Sequence, residues 1–266
     1  MNVSALSKSL GAAWRIGFRH HLAYPSEVLI QLVAACLIAG LNAALWSNVA
    51  DAGAPVAGIG AQALGAEVLV AWAGIGAIAT RVHEDLGERF RDGQIAADLV
   101  RPVPLPALIY ARDLGRACAA FGVQALPLLT VSAWLAPLGL TAGPGRWAGW
   151  AAALFIAHVV NVAVSFLLGL AAFRVGSVVG LGYLKATLVS LFAGALLPPD
   201  LLGPTLGAIA RLLPFHLLGS TPARVLLGRG DLTALLLEGS AWAVGLWLFG
   251  IFMWSRVART FTLQGG

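Results

Sequence analysis

The strongest constraint on the fold is a series of six apolar stretches, each of which can cross a lipid bilayer as a helix. A bilayer core about 30 Å thick requires roughly 20 apolar residues per helix. The stretches cover residues 27–46, 61–80, 106–135, 147–173, 181–197 and 232–254. Only 11% of the residues are charged, whereas soluble domains carry about 25%. The sequence therefore predicts an all-α membrane protein with six transmembrane helices.

The positions of the basic residues predict how these helices are oriented. Thirteen of the seventeen Lys and Arg residues lie in the N-terminal segment, residues 81–116, residues 174–185 and the C-terminal tail. Cytoplasmic segments of membrane proteins are enriched in Lys and Arg. We therefore expect both termini and the loop 81–104 to be cytoplasmic. The net charge of +5 then reflects membrane topology, and no nucleic-acid partner is expected.

Residues 1–26 are predicted to form an amphipathic helix in the plane of the membrane interface, ahead of a single transmembrane domain at 27–266. One face at helical spacing is apolar: Val3, Leu6, Leu10, Ala13, Trp14, Gly17 and Phe18. Lys8, Arg15 and Arg19 lie on another face. Such a helix buries its apolar face at the acyl boundary and keeps its cations at the head groups. A short solvated leader is the alternative.

Two segments depart from a plain helical bundle. The loop 81–104 alternates acidic residues with arginines in a chain that is otherwise nearly uncharged. This pattern fits either a protein-binding surface or a solvated connector. The outer segment, residues 198–231, is apolar but contains five prolines, so it cannot form one straight helix. We expect short re-entrant helices between the fifth and sixth spans.

Polar residues inside the predicted spans are few. His158, Asn161 and Ser165 are spaced i, i+3, i+7 and so share one face of the fourth helix near mid-membrane. They fit a polar lining or proton relay, or hydrogen bonds that set helix packing. Glu67 and Glu238 lie near span ends, where they could reach the interface or an aqueous vestibule. The absence of a mid-membrane acid argues against proton or sodium coupling.

The sequence contains no recognisable catalytic or nucleotide-binding motif. The segment HEDLGE at 83–88 departs from the HExxH pattern of zinc proteases. The only two lysines, Lys8 and Lys185, do not follow a glycine-rich loop of the Walker A type. We expect Lys185 to snorkel to the cytoplasmic interface. No enzymatic activity, metal or cofactor is expected in this chain, and any ATP would be bound by another chain.

Three motifs, in this order and topology, resemble those of the membrane permease subunits of type-2 ABC transporters, the bacterial exporter class. The first is RDGQIAADLVRPVPLPALIYARDLGRA at 91–117, and the second is FAGALLPPDLLGPTLGAIARLLPFHLLGSTPARVLLG at 192–228. The third is the ending Gln264-Gly265-Gly266. Within this class the chain looks like the branch of uncharacterised and viologen-exporter permeases.

The resemblance implies a bacterial inner-membrane protein that forms a substrate path with a second permease, identical or homologous, among membrane lipids. The N-terminal helix would be the connecting helix, and residues 82–100 would hold the coupling helix that docks on a dimeric nucleotide-binding ATPase subunit, which binds ATP and Mg²⁺. The contact residues would be Asp85, Glu88, Arg91, Asp92 and Asp98. The external gate would include Pro198, Pro199, Pro214 and Phe215. A hydrophobic or amphipathic substrate is expected.

Two other classes of function fit the sequence less well. A stand-alone secondary carrier would need a coupling-ion site, for which only His158 and Asn161 are candidates. A membrane scaffold or intramembrane enzyme would need a cluster of acids or histidines near one interface, and the outer acidic residues are widely separated in the sequence. The charged loop and the missing Walker motif favour the permease.

Overall fold

The computed structural model describes residues 3–51, 60–135, 142–175 and 178–264, and all regular structure in these residues is helical. In chain order the α-helices are α1 (Val3–Leu22), α2 (Pro25–Asp51), α3 (Ala61–Ile78), α4 (Val82–Arg91), α5 (Ile95–Leu99), α6 (Leu105–Ala120), α7 (Leu126–Leu135), α8 (Pro144–Val175), α9 (Val178–Phe192), α10 (Gly203–Leu212), α11 (Ser220–Leu227) and α12 (Leu232–Gln264). Parts of three predicted segments lie outside the described residues: residues 1–2, 176–177 and 265–266.

Four stretches of the described residues are long and apolar enough to cross a membrane. They are Pro25–Trp46, Gln62–Arg91, Pro144–Val175 and Leu232–Thr260. These stretches overlap the first, second, fourth and sixth predicted spans.

The third and fifth predicted spans do not each correspond to one long apolar helix. A helical path runs through α6, a π-helical turn at Phe121–Ala125 and α7, but its first half carries Arg112, Asp113 and Arg116. Helix α9 has 15 residues and is therefore about 22 Å long, shorter than a bilayer core of about 30 Å. The count of six spans accordingly stays a prediction.

The apolar stretch Gln62–Arg91 contains a break that separates α3 from α4. Ala79 leaves the helical conformation with a ψ of 133°. The Thr80 hydroxyl oxygen then accepts a hydrogen bond from the Val82 N–H at 3.3 Å, which helps to satisfy the first turn of α4. Helix α3 is thus the apolar helix, and α4 is a charged helix beyond its end.

Helix α8 is the centre of the packing, because α3, α4, α9, α11 and α12 all contact it. Its side chains Ala157, Val160 and Phe166 are completely buried. Close approach depends on small residues, as is usual for helices in lipid. A Cβ atom at Gly169 of α8 would overlap the side chain of Leu86 in α4. The charged helix is therefore seated firmly on the central helix.

Helix α1 packs along α6 in the opposite direction. Gly17 lies against the carbonyl of Arg112, whereas Gly115 lies against the backbone of Trp14 and Phe18, so residue numbers rise along one helix as they fall along the other. The three basic side chains predicted to face the head groups are exposed: Lys8, Arg15 and Arg19. A helix therefore forms where expected, and its location in the interface plane stays a prediction.

The outer segment folds into short helices around its prolines. Two 3₁₀ turns, Pro199–Leu201 and Pro214–Leu218, flank α10, and α11 follows. The irregular backbone before it is satisfied from other elements: the carbonyl of Ala193 accepts from Ser220 N–H at 2.8 Å, and that of Ala195 accepts from Trp72 Nε1 at 2.7 Å. Irregular backbone is tolerated at membrane depth only where the protein buries it in this way.

Candidate functional site around helix α4

The charged residues of helix α4 are arranged along its axis in the order that stabilises a helix. Glu84 and Asp85 lie in its first turn and Arg89 and Arg91 in its last turn, where they complement the helix dipole. Its apolar side is buried, with Leu86 at 0% exposure. The helix therefore presents its charged side outward while its apolar side rests on α8.

The structure places four of the five predicted ATPase contacts on an exposed surface. Asp85, Glu88, Arg91 and Asp92 are all exposed. Arg91 Nε lies 3.6 Å from Asp92 Oδ1, a surface pair of the kind that contributes at most about 1 kcal/mol. These four side chains are available to a partner, and their role in docking stays a prediction.

Asp98, the fifth predicted contact, is instead used inside the chain. Its side chain is only 3% exposed, and Oδ2 accepts a hydrogen bond from Arg89 Nη1 at 2.6 Å. Arg101 Nε lies 3.5 Å from Oδ1. Because a buried carboxylate needs partners of this kind, Asp98 connects α5 to α4 and the loop after it.

Replacing Asp98 with Asn should loosen α5 without unfolding the rest of the chain. The variant removes a charge-assisted hydrogen bond, so amide exchange across residues 93–101 should accelerate about tenfold or more. Hydrogen–deuterium exchange measured by mass spectrometry tests this. Asp92→Asn is the matched control, because its carboxylate is exposed and should leave exchange unchanged. Equal protection in both variants would contradict the structural role of Asp98.

The predicted polar face of α8 is buried and makes contacts to three neighbouring helices. Asn161 Nδ2 donates to the Ile78 carbonyl at 2.7 Å, one of the carbonyls left free at the end of α3. The Ser165 hydroxyl accepts from Lys185 Nζ at 2.6 Å. The His158 ring lies 5.7 Å from the Tyr110 ring, and its nitrogens have no hydrogen-bond partner in the described part of the chain. A translocation role for this face stays a prediction.

Sequence reasoning missed a buried carboxylate beside His158. Asp113 is 6% exposed, and its Oδ1 accepts from Thr80 Oγ1 and from Arg116 Nε, both at 2.9 Å. His158 Nε2 lies 3.9 Å from Asp113 Oδ2. The sequence showed Asp113 only as one acid near a charged loop, since nothing local indicates that α6 packs against α3 and α8.

Lys185 does not snorkel as expected. Its side chain is buried on α9, and its ammonium donates to Ser165 in the protein interior. Glu67 also differs from the expectation of a group near an interface. It is 0% exposed, and its two oxygens accept from Arg224 Nε at 2.9 Å and Arg229 Nη2 at 2.6 Å. Both corrections arise because helices remote in sequence cover these side chains.

The residues predicted for the external gate are packed rather than exposed. All four are buried: Pro198, Pro199, Pro214 and Phe215. Arg224 extends the ion-pair network from Glu67 to Asp200 Oδ2 at 2.8 Å. Near Phe215, burial lowers the pKa of His216, and the Glu238 carboxylate at 3.2 Å acts in the opposite direction. These contacts hold the outer segment against α3 and α12, and its function as a gate stays a prediction.

Two cavities lie on either side of α4. One of about 800 Å³ is bounded by α1, α2, α4 and α6, and its lining includes Asp113, Arg112 and Gln124. Gln31 of α2 also lines this cavity and accepts a hydrogen bond from Gln124. The other, of about 870 Å³, lies between α4 and α9. Within the described residues no group of three or more His, Cys, Asp or Glu side chains is placed to hold a metal ion.

The fold and the site together define an all-helical, multi-pass membrane protein with a charged helix seated on its core. A sequence model of the family described as "ABC-2 family transporter protein" matches residues 66–265, which is most of the chain. The chain therefore belongs to the ABC-2 transporter family, whose members are membrane subunits and generally not the ATPase. No curated protein and no solved structure matches the chain.

Proposed function

We propose that the chain is the permease subunit of an ATP-driven ABC exporter and is moved by a separate nucleotide-binding subunit. The observation that carries this proposal is the position of α4. One side of the helix exposes Asp85, Glu88 and Arg91, and the other side packs on α8 and α9. Membership in the ABC-2 family adds that an ABC ATPase is the expected partner.

Helix α4 is suited to transmit movement because it is short and tightly held. A Cβ atom at Gly87 would overlap Val178 at the start of α9, and one at Gly169 would overlap Leu86. Packed helices move as discrete bodies rather than deforming continuously. A displacement of α4 by a docked ATPase would therefore shift α8 and α9 together. Asp98, through Arg89, would keep α5 in register with α4.

A second permease would share the substrate path in this proposal. Helix α2 supports it, because six large apolar side chains of that helix are exposed: Leu29, Ile30, Val33, Leu37, Leu41 and Leu45. Within a bilayer such a face meets either lipid or another apolar helix. Mass spectrometry of the purified complex distinguishes an identical from a homologous second permease. An inner-membrane location with cytoplasmic termini completes the proposal.

Affinity purification tests the permease and the docking surface together. The tagged protein would be purified in mild detergent beside the Asp85→Lys/Glu88→Lys variant, and co-purifying proteins identified by mass spectrometry. Reversing charges in an interface changes affinity by several kcal/mol, so the amount of ATPase recovered with the variant should fall by about tenfold or more. The ATPase activity of the eluate should fall in proportion.

The matched control reverses two exposed charges near the other end of α3, in the variant Arg146→Glu/Arg211→Glu. Arg146 lies against Gly228, next to the Arg229 that binds Glu67, and α3, which carries Glu67, has 18 residues and is about 27 Å long. This variant should retain the partner at the wild-type amount. Retention by both variants would contradict docking on α4. If no Walker-containing protein is recovered with the wild type in several detergents, the permease proposal fails, and the buried His158 next to Asp113 becomes the site to test for a secondary carrier.

A further inference from the structure

The cavity of about 870 Å³ beside α4 has a polar end and an aromatic end. Helices α3, α4, α8 and α9 supply its walls. Lys185, His83 and Asn161 line the polar end, and the charged side chains Glu84, Glu88 and Arg91 of α4 also line the cavity. The aromatic end is lined by Phe90 and Phe173, whose ring centroids are 5.1 Å apart. A volume of this size accommodates a small organic ligand.

Lys185 is a buried ammonium group without a carboxylate partner in the described residues. It is 7% exposed, and its one hydrogen bond there goes to the Ser165 hydroxyl at 2.6 Å. The carboxylates that influence it from a distance, Asp113 and Glu84, accept hydrogen bonds from Arg116 and Arg81 instead. An ammonium has three donors, so two remain for a ligand.

The neighbouring polar atoms are also incompletely used. His83 Nδ1 and Asn161 Oδ1 are buried and have no hydrogen-bond partner within the part of the chain that the structure describes. A protonated His83 Nδ1 can donate to an anion beside Lys185. Asn161 Oδ1 is an acceptor, which suits a bridging water or a head-group hydroxyl. Buried polar groups without partners are costly, so this end of the cavity favours an occupant with hydrogen-bonding oxygens.

We propose that this cavity binds an amphipath with an anionic head group, placing the head on Lys185 and the hydrocarbon chain along Phe90 and Phe173. An anion supplies the counter-ion that a buried ammonium requires. Of the two carboxylates in the lining, Glu84 is already bound by Arg81 at 2.7 Å and Glu88 is exposed, so Lys185 is the buried charge that a head group meets. That this ligand is transported cargo rests on the proposed permease function. Because α4 forms one wall, movement of α4 would change the shape of the cavity.

Photolabelling of the purified protein, without ATPase or ATP, tests the proposal. The protein would be placed in phosphatidylcholine nanodiscs and labelled with a diazirine-bearing long-chain fatty acid, and with the alcohol and ammonium analogues of that probe. Charge-assisted hydrogen bonds contribute about twice as much as neutral ones, so the carboxylate should label residues around Phe90 and Phe173 about tenfold more than the alcohol. The ammonium analogue should label them least.

The two lysines of the chain provide a matched pair of variants. Lys185→Met should reduce the carboxylate labelling to the level of the alcohol, Lys185→Arg should retain most of it, and Lys8→Met on the exposed side of α1 should leave it unchanged. If Lys185→Met does not fold, the comparison of the three probes on the wild-type protein still decides. Equal labelling by carboxylate and alcohol, or preference for the ammonium, would overturn the proposal.

A final arm identifies the source of the anionic head group. Nanodiscs containing phosphatidylglycerol would compete with the fatty-acid probe if a membrane phospholipid occupies the cavity. Undiminished labelling in those nanodiscs would assign the cavity to a free carboxylate amphipath. Failure of the labelling would leave the co-purification of an ATPase unaffected, and loss of the ATPase would leave the labelling unaffected, so the two proposals can fail separately.

Discussion

Replacing Glu67 with Gln is expected to lower the free energy of unfolding by about 3 kcal/mol, because breaking a buried ion pair leaves its partners without a counter-ion. Glu67 is completely buried, and both of its oxygens accept hydrogen bonds from arginines of the outer segment, at 2.9 Å from Arg224 and 2.6 Å from Arg229. Among the residues that the structure describes, Glu67 is the one charged side chain at 0% exposure, and it links α3 to the outer segment. The Gln amide would turn an NH2 group towards one of the two arginines, which can only donate, whereas the native carboxylate accepts from both.

Unfolding of the purified protein in a denaturing detergent series, followed by tryptophan fluorescence, measures this effect. Asp200→Asn is the control, since Asp200 is exposed and also binds Arg224, at 2.8 Å. A surface pair of this kind should contribute at most about 1 kcal/mol. Proteolysis should also become faster within 198–231 in the Glu67 variant. Equal destabilisation by the two variants would show that the Glu67 network does not anchor the outer segment.

Substituting Ala for Gly115 is expected to separate α1 from α6. A Cβ atom at Gly115 would overlap the carbonyl oxygen of Trp14 and approach the backbone nitrogen of Phe18. Backbone atoms cannot rotate away as a flexible side chain can, so the two helices would have to move apart. Overpacking of this kind costs about 1–3 kcal/mol. Gly17→Ala should have a similar effect, because a Cβ atom at that position of α1 would overlap the carbonyl oxygen of Arg112 in α6.

The matched control is Gly11→Ala, because nothing lies within 4 Å of a Cβ atom at that position of α1. Alanine favours helix over glycine by about 0.5–1 kcal/mol, so this variant should be as stable as the wild type or slightly more so. Thermal unfolding in detergent and amide exchange of α1 would be measured for all three. A Gly115 variant that melts and exchanges like the Gly11 variant would contradict the close packing of α1 on α6.

The helices that the sequence predicted best are those whose apolar character is continuous. Residues 147–173 and 232–254 both lie within longer helices, α8 and α12, since hydrophobic length alone indicates such elements. The predicted end of the fifth span was less accurate. Helix α9 ends at Phe192, although the sequence stays apolar to Leu197, because Gly194 adopts a positive φ of 80° and Trp72 binds the backbone at Ala195.

The charged residues show most clearly which contacts could not be predicted from the sequence. Periodicity correctly placed His158, Asn161 and Ser165 on one buried face of α8, because spacing along a helix is a local property. Local spacing could not show that Asp113 of α6 and Lys185 of α9 meet that face. Nor could it show that Asp98 would turn inward to Arg89 while Asp85, Glu88 and Asp92 stay exposed.

The sequence by itself determined that this chain is an all-helical membrane protein with a charged loop and a proline-broken outer segment. Those properties follow from hydrophobic length, charge distribution and proline positions, which are read along the chain. Only the tertiary structure decided which charges are buried and what they bind. Burial and ion pairing depend on contacts between helices far apart in sequence, such as Glu67 with Arg224 and Arg229, or Lys185 with Ser165.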